Sequence, residues 1–228
     1  MSSPVPSLAL EHTFWSRGLE HVAGVDEAGR GAWAGPVVAG AVILPRVTRL
    51  QRWWLEASLG ALKEVRDSKL LAPARRAALY EPIRACALAT AIGSATNEEI
   101  DALGIVPATR LAMQRALAAL TIAPAAVLVD ALSLPLDVPQ RAIIHGDQIS
   151  LSIACASILA KVTRDRMMSE LDEQVPGYHL AQHKGYGTAA HRAALIKLGV
   201  SRVHRVSFAP VRHLLIEQST EAVPSIAK

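Results

Sequence analysis

Apolar and polar positions fall in blocks along this chain, and the block lengths predict strands early and helices later. His21 to Asp26 (HVAGVD) is a short apolar run closed by acidic residues and the turn-forming stretch AGRGAWAGP, the pattern of a buried strand entering a tight loop. Pro36 to Leu44 (PVVAGAVIL), rich in Val and Ile, predicts a second strand paired with the first as a hairpin. Ala85 to Thr96 predicts a third. Between them Arg46 to Tyr80 is charged and irregular, with a helix starting near Ala72-Pro73, and is expected outside the sheet. Pro107 to Leu120 sets Leu111, Ala112, Arg115, Ala118 and Ala119 in helical rows. Ala126 to Asp130 and Arg141 to His145 read as further short strands. Ser150 to Gln174 has no Gly or Pro and predicts a long helix whose first half is buried. Such an order argues for an α/β fold with a mixed sheet.

Composition narrows this reading. Of 228 residues 51% are hydrophobic but only 4% aromatic, so the core is built from small side chains. Charges interrupt every apolar run before about 18 residues, which excludes a spanning helix. Met1 to Leu10 lacks the basic start of an export signal. Cys86 and Cys155 sit in apolar surroundings without metal-type spacing, as reduced thiols of a cytoplasmic protein would.

The net charge of +4 hides an uneven distribution. Between Pro176 and Leu214 there is no Asp or Glu, while Lys184, Arg192, Lys197, Arg202, Arg205 and Arg212 lie there with five of the eight histidines. With Tyr178, Tyr186 and Phe208 among them, this is either a phosphate-tracking surface or a plain solvated basic face.

Candidate chemistry gathers at strand ends: Asp26 with Glu27, Asp130 and Asp147 each stand where an apolar run stops. Singly, such acids can face solvent or bond arginine. Together on one sheet edge they would repel, and oxygen-only ligands favour Mg²⁺ or Mn²⁺ over zinc. Gly29 and Gly31 flank Arg30 directly after the acidic pair and leave the backbone amides open to a ligand, although a hairpin turn uses glycines in the same way. His179 and His183 have i, i+4 spacing, but Pro176-Gly177 and Gly185 argue against a helix and no Glu completes a zinc motif. No GxSxG is present.

Taken in order, GVDEAGRGAWAGPVVAGAV (Gly24 to Val42), RDSKLL (Arg66 to Leu71), VLVDA (Val127 to Ala131), HGDQISLSIACASILAKVTRDRMM (His145 to Met168), YHLAQHKGYGTAAH (Tyr178 to His191) and RVSFAPV (Arg205 to Val211) closely resemble ribonuclease HII, over most of the chain. About twenty residues precede the first motif, too few for the amino-terminal substrate-binding domain of the related ribonuclease HIII. The resemblance implies a ribonuclease H-like fold with a C-terminal helical region. It divides the chain into an extension (1–20), a catalytic core (21–175), a basic, mostly helical substrate-binding region packed on it (176–217) and a flexible tail (218–228).

The activity implied is endonucleolytic cleavage of RNA in RNA–DNA hybrids and of DNA duplexes 5′ of embedded ribonucleotides, with two Mg²⁺ or Mn²⁺ ions held by Asp26, Glu27, Asp130 and Asp147. Gly29, Arg30 and Gly31 would meet the ribose 2′-hydroxyl, and Tyr186 would stack on the following nucleotide or else pack on the core. Ser68, Lys69, Lys161, Arg164 and Lys184 would hold the substrate, Lys161 alternatively neutralising the carboxylates. A monomer with no obligate protein partner is expected, and the tail from Gln218 carries no aromatic clamp-binding motif. Two departures stand out: Leu70 replaces a second lysine common after DSK, and Ala32-Trp33 follows GRG in place of the common Pro-Leu. Trp53-Trp54 reads as a core anchor in preference to a base-stacking site.

Overall fold

Strand β1 (Val22–Ala28) forms because small and β-branched side chains occupy both faces of a fully covered strand; only Glu27 is less than buried. Its hairpin partner β2 (Val37–Ile43) is buried throughout. The computed structural model, which describes residues 5–47 and 60–221, places these strands with β3 (Ala89–Ala95), β4 (Ala126–Asp130) and β5 (Gln140–Ile143) in one sheet of order β3-β2-β1-β4-β5.

β1 is antiparallel to β2, and parallel pairing joins β1 to β4 and β4 to β5, so the sheet is mixed as expected. Val25 pairs with Val129. The next residues on those two strands are Asp26 and Asp130, so parallel register alone brings the two carboxylates to the same edge.

Two compact units divide the chain. Among the described residues, the first comprises 5–28, 38–47, 60–94 and 109–163. Its core joins Val22, Val42 and Leu128 of the sheet, and Leu44 just past β2, to Ile153, Ile158 and Leu159 of the long helix Leu151–Gln174. At Gly40 an added Cβ would lie 2.4 Å from the Ala156 carbonyl, so glycine is needed for this helix to lie so close to β2. The helix Ala9–Trp15 buries Glu11 at the start of the long helix, where Oε1 accepts from Ser150 Oγ (2.7 Å), Ser152 N (3.0 Å) and Ser152 Oγ (2.7 Å). A carboxylate there meets the unpaired amides and positive end of the helix dipole.

The second unit comprises, among the described residues, 29–37, 95–108 and 164–221. Ala34, Met168, Tyr178, Leu180, Leu195, Val203 and Leu214 form its own core. Buried His191 and His204 face each other with Nε2 atoms 3.0 Å apart, and His183 stacks on His191 at 4.4 Å.

Several boundaries differ from expectation. Ala85 and Cys86 end the helix Pro73–Cys86 rather than beginning β3, because an alanine-rich run is periodic in neither sense. The helix Asn97–Leu103 was not anticipated, although Thr96 and Glu99 form a capping box legible in the sequence. Leu180–His183 does make a helical turn, entered through left-handed His179. The last helix, Ala209–Glu221, carries 218–221 in helical form, since no Pro or Gly stops it earlier. Arg46–Tyr80 supplies no strand among the described residues, yet its Leu62, Val65 and Leu79 enter the core. Trp53-Trp54 and residues 222–228 lie outside the described residues. Among the described residues no helix is long and apolar enough to cross a membrane.

Candidate active site

Asp26 is buried at the end of β1, its Oδ1 accepting from Glu27 N at 2.6 Å. Asp130 ends β4, and its Oδ1 accepts from Gly146 N at 2.7 Å, which fastens the turn that carries Asp147. Left-handed Ala131 (φ 52°) and His145 (φ 55°) flank these acids, so the backbone accepts strain to deliver them. One carboxylate oxygen from each of Asp26, Glu27 and Asp130 lies within 4.8 Å of the others. Asp147 stands outside that trio but acts on Asp26 and Asp130 electrostatically; its buried Oδ2 has no hydrogen-bond partner among the described residues. Hard oxygen donors gathered this closely, with an orphaned carboxylate oxygen beside them, fit a divalent cation.

The electrostatics agree. Burial first, then repulsion by Glu27, Asp130 and Asp147, holds the Asp26 carboxyl well above the ordinary carboxylate range. Asp147 is pushed up to about 6, by burial and then by Asp67. Asp67, within the RDSKLL segment, is a fifth acid, one that its sequence context does not mark. It is buried, caps the short turn Ser68–Leu70 by accepting from Lys69 N at 2.9 Å, and receives Gln148 Nε2 at 3.3 Å. Lys69 Nζ lies 3.8 Å from Asp147 Oδ2 while 79% of the side chain is exposed, so this ammonium can serve the acids and a substrate alike. Burial opposes its charge, but the surrounding carboxylates outweigh that and raise its pKa.

Metal should therefore stabilise the protein in a pH-dependent way. With folded-state pKa values above the unfolded ones, the folded acids hold protons that the unfolded chain has released from about pH 4 upward. Raising the pH through about 6 strips those protons and costs metal-free stability. Cations compete with the same protons. The gain in Tm on adding Mn²⁺ is expected to be several degrees at pH 8 and less than half of that at pH 5.5, read by calorimetry with and without metal. An equal gain at both pH values would contradict this.

Loop Gly29–Val37 of the second unit is fastened by two buried arginines. Arg164 donates from Nε to Pro36 O (2.9 Å), from Nη1 to Lys184 O (3.0 Å) and from Nη2 to Ala34 O (3.2 Å). Arg205 donates to Gly35 O (2.9 Å) and Arg30 O (3.0 Å). Gly29 has φ 97°, and a Cβ there would lie 1.9 Å from Arg164 Nε, so only glycine fits. Gly31 is exposed, Arg30 half-buried. Tyr186 is 38% exposed, with the Arg164 guanidinium 5.6 Å from its ring centroid.

These placements bear on three expectations. Arg164, expected to hold substrate, is fully buried and donates to three backbone carbonyls. Ser68 is buried and accepts from Ser157 Oγ at 2.8 Å, which turns it inward. In the acid-free stretch Arg205 faces inward too, leaving Arg192, Lys197, Arg202 and Arg212 exposed. Lys161 is half-buried on the long helix; Lys184, also half-buried, donates to Ser169 Oγ (3.1 Å) and Asp165 O (3.3 Å).

Fold and acid cluster together define a class: an α/β protein whose sheet edge is built to hold divalent cations through oxygen ligands. The ribonuclease HII family model matches residues 23–211. A ribonuclease HII of Dehalococcoides mccartyi is 50% identical over 210 residues, covering 92% of this chain and 95% of its own length. The crystal structure of ribonuclease H2 from Pyrococcus horikoshii OT3 shares the fold, with a TM-score of 0.67 at 24% identity over 86% of this chain and 97% of that one. A structure of the PCNA:RNase HII complex from Archaeoglobus fulgidus gives 0.64 at 25% identity, over 85% and 96%. The chain belongs to the ribonuclease HII family and is an endonucleolytic ribonuclease H.

Proposed function

We propose that this enzyme hydrolyses the RNA strand of RNA–DNA hybrids and incises DNA duplexes on the 5′ side of embedded ribonucleotides, serving ribonucleotide and RNA-primer removal. The observation that carries the reading is the trio Asp26, Glu27 and Asp130, with ligand oxygens within 4.8 Å of one another, in a chain of this family. Asp26, Glu27, Asp130 and Asp147 would hold two Mg²⁺ or Mn²⁺ ions. When bound, divalent cations supply a Lewis acid that activates water for in-line attack on phosphorus and offsets charge on the departing 3′ oxygen. Lys69, exposed beside Asp147, steadies the acid cluster and reaches toward a phosphate.

Selection of RNA falls to the loop Gly29–Gly31. Its backbone, held at Arg30 O by Arg205, offers main-chain groups to a 2′-hydroxyl, the group that separates RNA from DNA. Exposed Tyr186, backed by a guanidinium, offers a ring for the next nucleotide to stack on. Arg192, Lys197, Arg202 and Arg212 supply phosphate attraction.

The test is a DNA duplex with a single embedded ribonucleotide, incubated with Mg²⁺ or Mn²⁺. Incision 5′ of the ribonucleotide is expected; an intact duplex, or equal cleavage of an all-DNA duplex, would overturn the reading. Tyr186→Ala is expected to lower kcat/KM on this substrate by roughly tenfold, in line with a stacking contribution of about 1–3 kcal/mol. Its Tm should move little, because the ring is partly in solvent. Loss of activity only in proportion to lost stability would assign Tyr186 to packing instead.

A further inference from the structure

Trp33, Arg192, Ala209, Pro210, His213 and Leu214 line an open cavity of about 310 Å³ within the second unit. That volume is near the lower end of small-ligand sites. Its floor is apolar: the indole of Trp33, the Pro210 ring and the buried Leu214 side chain. Its rim carries exposed Arg192 and His213, and among the described residues neither side chain has a hydrogen-bond or ion-pair partner. Two unmatched donors beside an aromatic slot, in a stretch without a single acid, complement a ligand with a flat ring at one end and an anion at the other.

Position adds a reason for the ligand to come from a nucleic-acid strand. Trp33 is two residues beyond Gly31, and its backbone N–H donates to Gly185 O at 2.8 Å. Its ring lies so close to Gly187 that a Cβ there would come within 2.1 Å of it. The cavity thus adjoins both the glycine loop and the segment bearing Tyr186. A paired, stacked base cannot enter a single-nucleotide slot; an unpaired one can.

We propose that this cavity binds one unpaired nucleotide of a substrate strand, the base stacked on Trp33 and the phosphate held by Arg192 and His213. The proposal rests on the nuclease reading for its source of nucleotide, and its test does not depend on cleavage. The four tryptophans each give an indole N–H resonance in the full-length, metal-free protein, and Trp33→Phe identifies the one that matters. Titration with 5′-AMP should shift the Trp33 resonance saturably, and ribose 5-phosphate and adenosine should each act several-fold more weakly.

Arg192→Gln should weaken AMP about tenfold, consistent with loss of a charge-assisted contact, with Tm unchanged because the side chain is exposed. Hybrids with a single-stranded overhang should move the same resonance at lower concentration than blunt hybrids, which separates strand-borne from free nucleotide. No shift of Trp33 with millimolar AMP, a shift by apolar peptide alone, or equal effects of blunt and overhanging hybrids would overturn the proposal. Failure of embedded-ribonucleotide cleavage would instead sink the function proposed above, whatever AMP does.

Discussion

Asp26→Asn is expected to reduce kcat/KM for ribonucleotide incision by at least roughly a thousandfold, because charge stabilisation by held cations is a matter of several kcal/mol at about 1.4 kcal/mol per tenfold. Asp26 is the buried member of the carboxylate trio, and Glu27, Asp130 and Asp147 all press on it. The substitution should have an opposite effect on the fold. An amide keeps an oxygen for the Glu27 N–H, bears no charge, and removes the repulsion that an ionised Asp26 suffers at neutral pH. Metal-free Asp26→Asn protein should therefore melt higher than metal-free wild type at pH 8, and the added stability from Mn²⁺ should shrink. Calorimetry with and without metal, alongside the incision assay, checks both halves. A variant that cleaves within tenfold of wild type would remove Asp26 from the mechanism.

The second large effect concerns stability. Arg164→Met would leave the carbonyls of Pro36, Lys184 and Ala34 without the donors they now share. Each buried group so orphaned costs about 1–3 kcal/mol. A loss of about 3–5 kcal/mol is expected in urea unfolding, a large part of the stability of an ordinary domain. Arg164→Lys keeps the charge but has no fork to reach three carbonyls, and should recover only a fraction. Heightened proteolysis within Gly29–Val37 should accompany the loss. Unfolding within about 1 kcal/mol of wild type would show that water replaces these bonds at little cost.

Which parts of the molecule could be read from its residues follows from the physics of each part. Strands β1, β2, β4 and β5 were legible within a few residues because apolar runs bounded by Gly, Pro or acids have few other uses. The junction of the Pro73–Cys86 helix with β3 was not, since alanine satisfies either element. Asp26, Glu27, Asp130 and Asp147 were visible as acids where apolar runs stop. Asp67 lacked that mark: it sits in a polar segment, and only tertiary structure brings it to Asp147. Arg164 and Arg205 misled for a related reason. A guanidinium in sequence suggests solvent or phosphate, and all but one of the carbonyls that occupy these two, Lys184 O being the exception, belong to a loop some 130 to 175 residues away.

The parallel pairing of β1 with β4 also bears on the order in which the enzyme can come into being. The two strands are joined across about a hundred residues, and so long a closure is slow and entropically costly before its contacts repay it. At about 5–20 residues per second, a ribosome finishes Asp26 several seconds before it reaches Asp130. A nascent chain shorter than β4 carries the acidic pair but not the neighbour that completes the trio. The cluster that would cut a nucleic acid is assembled only once synthesis has passed Asp130, more than half of the chain.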